Sequence, residues 1–141
     1  MINFLSGKEI IMNLKEFCTG VQHIGIPTEN IEQTILFYEG LGFDKLYDTY
    51  KKNGEQKVVF LQLGNLIIET YEEENISKND GIINHIAIDC SKIYEVYNIL
   101  ITMVYKLLTD GIQSLDFWEN GIQYFIIEGP NKEKLEFCQK L

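Results

Sequence analysis

A six-residue pattern that occurs twice constrains this chain more than any other feature of its sequence. The order aliphatic, polar, His, Ile, small, Ile places His23 and His85, the only two histidines, 62 residues apart. Two later matches, an Asn-Gly pair and the pairing of Glu69 with Glu136, lie at an offset of 67 residues. The two halves of the chain therefore repeat one structural unit.

The change in offset means that the second half carries five additional residues before its Asn-Gly turn, and we expect them to lengthen its helix. In the first half, Asn30 precedes an apolar stripe at helical spacing and is followed three residues later by Gln33, as in a capping box. In the second half, Ser91 is expected to cap a longer stripe that runs through Leu108 and ends near Gly111.

Each helix is followed by aromatic and β-branched segments that are separated by turn signals, so each half is predicted to fold as β-α-β-β-β. The predicted fold class is α+β, with two βαβββ modules in tandem. Residues 20–141 would form one domain of ordinary size. The expected parts are an N-terminal extension at 1–20, in which Met12 is a second possible start, a first module at 21–72, an acid-rich linker at 73–81 and a second module at 82–141.

Charge and cysteine usage narrow the classes of partner. The chain has 21 acidic residues against 12 basic ones, a net charge of −9, and every basic residue is a lysine. Such a chain repels nucleic acid and anionic membrane surfaces, so we expect neither as a partner. No apolar run is long enough to span a bilayer. Cys18, Cys90 and Cys138 lack a Cys-x-x-Cys spacing and fit reduced thiols, which favours the cytoplasm.

The alternation of strand residues predicts where four polar side chains point. The isoleucines of the first strand share the face that a helix must cover, which leaves His23 on the other face. The same alternation places Glu69, His85 and Glu136 away from the helices. If the two modules curl around a common cleft, these side chains form a set of two imidazoles and two carboxylates that suits a divalent ion, with nickel, zinc or cobalt expected. If the sheet face is open, they are surface residues.

The chain resembles the vicinal-oxygen-chelate superfamily, also called the glyoxalase, bleomycin-resistance and dioxygenase superfamily, from about residue 20 to residue 141. The specific parts are the opening Val21–Tyr38, the following Leu41-Gly-Phe43 and the closing Gly129–Gln139. The resemblance implies a cupped mixed sheet that paired modules form around a metal site. It also implies a homodimer, and the modules can pair either within a chain or between chains.

Matched position by position, His23, Glu69, His85 and Glu136 correspond to the full metal-ligand set of the glyoxalase I (lactoylglutathione lyase) type. This resemblance implies a metal-dependent lyase or isomerase that acts on an α-oxygenated carbonyl compound or a thiol adduct. In that mechanism the metal chelates two neighbouring substrate oxygens and stabilises an enediolate. Glu136 would be the catalytic carboxylate that moves the proton.

Two departures keep other functions open. Glutathione-using members hold the tripeptide carboxylates with arginine, and this chain has none. The segment that contains Glu55 resembles a strand of methylmalonyl-CoA epimerases, so Glu55 could be a second catalytic base facing Glu136, in a 2-acyl-CoA epimerase. The simpler explanation, that Glu55 is a polar residue just after a hairpin turn, is favoured. A third function, from another class, is a non-catalytic protein that binds a small ligand or confers resistance.

Overall fold

The structure, a computed structural model, describes residues 17, 21–81 and 83–141. Cys18 and, apart from Phe17, the expected extension at 1–20 lie outside the described residues. No helix in the described part of the chain combines the length and the apolar character needed to cross a membrane. The predicted α+β class is confirmed, and the strands form two sheets, one in each half.

The first half folds as β-α-β-β-β, as its turn signals predict. Its strands form one mixed sheet in the order β1-β4-β3-β2, with β1 parallel to β4 and β2 at one edge. Asn30 caps the helix as predicted, because its side-chain oxygen accepts the backbone N–H of Gln33 at 3.1 Å. The elements are β1 (Ile24–Thr28), α1 (Ile31–Gly40), β2 (Asp44–Lys51), β3 (Gln56–Leu63) and β4 (Leu66–Glu72).

The second half repeats this topology with one strand divided in two. Its sheet has the order β5-β9-β8-β6, and a further short strand, β7, also pairs with β8. The strands β6 and β7 together therefore take the place that β2 has in the first half. The elements are β5 (Ile86–Asp89), α2 (Ile93–Thr102), β6 (Lys106–Leu107), β7 (Gln113–Leu115), β8 (Ile122–Glu128) and β9 (Lys134–Lys140).

The prediction of a longer second helix is wrong. Helices α1 and α2 have ten residues each. Helix α2 ends because Val104 adopts φ 61°, in the left-handed region that β-branched residues rarely occupy. The additional residues of the second half therefore lie in the segment that contains β6 and β7.

The predicted cap of α2 is wrong as well. The first helical N–H, that of Ile93, donates to the side-chain Oε1 of Gln139 at 2.8 Å, and Ser91 makes no capping hydrogen bond. Gln139 lies on β9, next to β5. A side chain from a neighbouring strand therefore accepts a hydrogen bond from an N–H at the helix N-terminus that has no partner within the helix, as a local cap would.

A continuous hydrophobic core joins the two halves and lies on the helix side of both sheets. It includes Ile26 and Ile68 of the first half and Leu135 and Phe137 of the second. These are the apolar residues that strand alternation assigns to the helix-covered face. The alternate residues of β1, β4, β5 and β9 therefore lie on the opposite face, where the candidate site is.

Candidate metal centre

The first His–Glu pair is built by the parallel neighbours β1 and β4. Gly25 of β1 lies opposite Glu69 of β4 in the ladder, so the residue just before β1 can reach the glutamate. The Nε2 atom of His23 is 3.0 Å from Oε2 of Glu69, whose side chain is only 12% exposed. The ring of Phe60, on β3, meets the His23 imidazole edge-on with the ring centres 5.5 Å apart.

The second pair repeats this geometry in the other half. Ala87 of β5 lies opposite Glu136 of β9, as Gly25 lies opposite Glu69. The Nε2 atom of His85 is 3.3 Å from Oε2 of Glu136, whose side chain is 16% exposed. Both halves of the chain therefore carry a His–Glu pair on equivalent strands.

The residue before each histidine orients its imidazole ring. The Nδ1 atom of His23 is 2.7 Å from the side-chain oxygen of Gln22, and Nδ1 of His85 is 3.0 Å from that of Asn84. An amide oxygen only accepts hydrogen bonds, so in each ring Nδ1 carries the proton. The strand repeat contains a polar residue at this position in both halves, but its role in orienting the ring does not follow from the sequence pattern alone.

The donor set fits a divalent cation. With Nδ1 donating to an amide oxygen, Nε2 of each imidazole faces a carboxylate oxygen, and a positive ion or a proton between these two atoms stabilises the contact. A metal ion supplies this charge, and imidazole nitrogen with carboxylate oxygen is a common ligand combination for zinc, nickel and cobalt. A ligating histidine whose other ring nitrogen is hydrogen-bonded is also the usual arrangement at metal sites.

The structure brings the four predicted residues together as two pairs within one chain. Among the described residues, which include all four, no group of three or more His, Cys, Asp or Glu side chains is arranged to hold a metal ion. A complete four-ligand centre therefore needs the pairs to be joined, either by a rearrangement of the two halves or by a second copy of the chain.

Lys51 distinguishes the two pairs, and sequence reasoning missed it. Its Nζ atom lies 3.3 Å from Oε1 of Glu69 and 5.7 Å from the ring centre of Tyr71. Both carboxylate oxygens of Glu69 therefore have a partner. Among the described residues, Glu136 has a single ion pair, which is with His85. The alternation of β2 puts Lys51 on the face of Glu69, but the pairing of the strands is needed to bring the two together.

Glu55 lies at the end of the turn that joins β2 to β3. Its backbone N–H donates to the carbonyl oxygen of Lys52 at 3.2 Å, and its side chain is exposed. In the described part of the chain, no hydrogen bond or ion pair links the Glu55 carboxylate to either His–Glu pair. The next residue, Gln56, is buried and donates to the Glu72 carbonyl oxygen at 2.7 Å.

The strands that carry the second pair also hold two free thiols, Cys138 on β9 and Cys90 just after β5. Both Sγ atoms approach the carbonyl oxygen of Ile88, at 3.6 Å for Cys90 and 3.7 Å for Cys138. Burial raises the pKa of the Cys90 thiol to about 11. A thiol with this pKa stays protonated near neutral pH, so Cys90 is a poor additional ligand.

Comparison with known proteins agrees with this architecture. A model of the Glyoxalase/Bleomycin resistance protein/Dioxygenase superfamily matches residues 20–137. An uncharacterized protein of Bacillus subtilis (strain 168), YwbC, is 32% identical over 127 residues, which cover 85% of this chain and 97% of the relative.

Solved structures share the fold at low sequence identity. A glyoxalase family protein from Enterococcus faecalis has a TM-score of 0.73 at 22% identity, and the match covers 86% of this chain and 98% of that one. The fosfomycin resistance protein FosX from Listeria monocytogenes, in complex with Mn(II) and sulfate, has a TM-score of 0.67 at 14% identity, with coverage of 88% and 94%. This chain belongs to the glyoxalase/bleomycin resistance protein/dioxygenase superfamily.

Proposed function

We propose that this protein is a metal-dependent lyase or isomerase of the glyoxalase I type, which transfers a proton on an α-oxygenated carbonyl compound or a thiol adduct. The observation that carries the proposal is the matched pair of His–Glu contacts, at 3.0 and 3.3 Å, with both imidazoles oriented through Nδ1. A loss of these residues would have favoured a binding protein without catalysis, and the chain retains all four.

The ligands of the ion are His23, Glu69, His85 and Glu136. Nickel, zinc or cobalt fits this set, and the bound ion would act as a Lewis acid towards two neighbouring substrate oxygens. Each histidine contributes Nε2, because Gln22 and Asn84 hold the proton on Nδ1.

Glu136 is the better placed of the two glutamates to move a proton. Lys51 and His23 engage the two oxygens of Glu69, which fixes that carboxylate in place. The described ion pair of Glu136 uses Oε2, which contacts His85. Its other oxygen can then take the proton from the substrate carbon that carries one of the two neighbouring oxygens. We therefore assign general-base catalysis to Glu136 and a holding role to Glu69.

The proposed active form is a homodimer with two equivalent centres. In each centre, one chain supplies the pair His23 and Glu69, and the other chain supplies His85 and Glu136. This assembly completes a four-ligand set without changing either pair, and it uses each pair of each chain once.

The metal content of the purified protein tests the ligand assignment. We expect about one divalent ion per chain after dialysis against nickel, and none in His85→Ala, by elemental mass spectrometry. The His85→Ala protein should keep its circular dichroism spectrum, because the imidazole lies at the surface of the sheet. A His85→Ala variant that retains both the ion and activity would contradict the proposal.

Mixed dimers test the sharing of centres between chains. A dimer of one His23→Ala chain and one His85→Ala chain, isolated through two different affinity tags, has one centre with both substitutions and one with neither. We expect it to bind one ion per dimer, while each parent homodimer binds none. A mixed dimer that also binds no ion would show that each centre belongs to a single chain.

A further inference from the structure

A hollow of about 300 Å³ opens beside the first His–Glu pair. We call it the His23 hollow, and it is lined by Gln22, His23, Leu46, Tyr47, Phe60 and Ile67. Its size is at the lower end of the range for small-molecule sites. His23, a proposed metal ligand, forms part of its wall. A substrate held at the metal can therefore place one of its groups in the hollow.

The walls of the hollow suit a flat apolar group. Tyr47 of β2 and Phe60 of β3 have ring centres 6.1 Å apart and are tilted at 43°, and Phe60 in turn meets His23 edge-on. Leu46 and Ile67 add aliphatic surface. An aromatic ring in this hollow would gain the edge and face contacts that aromatic side chains favour, in addition to burial of its apolar area.

The charges around the hollow disfavour an anion. The chain has no arginine, and none of the described lysines lines the hollow. The cation next to the first pair, Lys51, already contacts Glu69 at 3.3 Å. Lys57, on β3, contacts Glu32 of α1 at 2.7 Å, on the helix side of the sheet. A carboxylate or phosphonate in the hollow would lose its water without gaining a partner.

We infer that the His23 hollow binds an uncharged, apolar group of aromatic size, attached to the carbonyl carbon of a substrate whose two neighbouring oxygens the metal would hold. This inference rests on the proposed function, and it narrows the substrate class to uncharged aryl or comparably bulky α-oxygenated carbonyl compounds. Tyr47 and Phe60 are then residues that determine specificity.

Three probes that share one chelating unit test the inference: 2-hydroxyacetophenone, hydroxyacetone, and 2-hydroxyacetophenone with a carboxylate on its ring. On the nickel-loaded protein, calorimetry should show the phenyl compound binding roughly tenfold more tightly than the methyl compound, because more apolar area is buried. The carboxylated compound should lose most of this advantage. Equal affinities for the phenyl and methyl compounds, or tightest binding of the carboxylated one, would overturn the inference.

A matched pair of variants locates the effect. Tyr47 and Tyr50 both lie on β2 and are 59% and 60% exposed, but Tyr50 lies opposite Lys57, on the helix side. We expect Tyr47→Ala to reduce the preference for phenyl over methyl several-fold and Tyr50→Ala to leave it unchanged. The same loss in both variants would indicate a general change in the sheet and would contradict the assignment.

A second readout separates this inference from the proposed function. Amide resonances of the metal-free protein, titrated with 2-hydroxyacetophenone, should shift at Leu46, Tyr47, Phe60 and Ile67. If the protein binds no metal and these shifts occur, the proposed function fails and the hollow stands. If metal binds and these resonances do not move, the inference fails and the proposed function stands.

Discussion

Glu133 offers a direct test of how the two halves are held together. It lies in the turn between β8 and β9, where the second half contacts α1 through a hydrogen bond from Asn131 to Thr34 at 2.9 Å. Its Oε2 atom and the hydroxyl of Tyr38, on α1, are both buried without a hydrogen-bond partner among the described residues. Burial raises the pKa of the Glu133 carboxyl to about 6, although the backbone N–H of Asn131 opposes the change.

The sign and size of the effect follow from this pKa. The folded chain binds the Glu133 proton more tightly than the unfolded chain, whose pKa is near 4.5. Folding is therefore favoured most below about pH 4.5, and this contribution is lost as the pH rises to about 6. A difference of about 1.5 units corresponds to about 2 kcal/mol at pH 7, which the buried carboxylate costs the folded state.

Replacing Glu133 with glutamine removes the charge and keeps the shape. We expect Glu133→Gln to stabilise the protein by up to about 2 kcal/mol at pH 7.5, or roughly 6 °C in melting temperature, and by close to nothing at pH 4.5. Urea unfolding followed by circular dichroism measures the free energy of unfolding of the variant and of the wild type at both pH values. The other acidic groups titrate in both proteins, so their contribution cancels in the difference between the two. Glu119→Gln, at an exposed position, is the control and should change little at either pH.

A Glu133→Gln protein that is less stable at pH 7.5, or that gains the same stability at both pH values, would refute this reasoning. The first result would mean that the carboxylate contributes more through its hydrogen bond from Asn131 than it loses through burial. The second would mean that the gain comes from packing and not from charge.

Three further predictions concern the site and its supports. Asn84→Ala should lower nickel affinity by about 10- to 100-fold without unfolding the chain, since it frees the His85 ring to rotate. Competition with a metal indicator measures the affinity, and an unchanged value would contradict the orienting role of Asn84. Gln139→Ala should destabilise the protein by about 1 kcal/mol in urea unfolding, because it removes the cap from the N–H of Ile93; no loss would show that water replaces the cap. Removal of bound metal with a chelator should lower the melting temperature, and re-addition of nickel should restore it, unless the ion binds the folded and unfolded chains equally well.

The sequence was sufficient to predict the elements whose signals are local. Strand alternation placed His23 and His85 opposite the helices, and the Asn30 cap needed only three neighbouring residues. The end of α2 was not predictable in this way, because the apolar spacing continues beyond it. Val104 continues that spacing but is 90% exposed, so the spacing there does not reflect packing.

The remaining differences arise from contacts between residues distant in sequence. Gln139 caps α2 from 46 residues away, and Lys51 reaches Glu69 across 18. Such partners depend on strand pairing, which a periodic pattern does not specify. The grouping of the four proposed ligands as two pairs is of the same kind, since it depends on how the halves are placed relative to each other.

The outer strand β2 also bears on how this chain avoids aggregation. An edge strand presents unpaired backbone groups that can recruit another strand and start a fibre. Here β2 is interrupted by a bulge between Lys45 and Tyr47, and charged residues recur along it, including Asp48 and Lys51. A second chain that extended the sheet at this edge would have to desolvate those charges across an irregular register. Open-ended growth along this edge is therefore disfavoured.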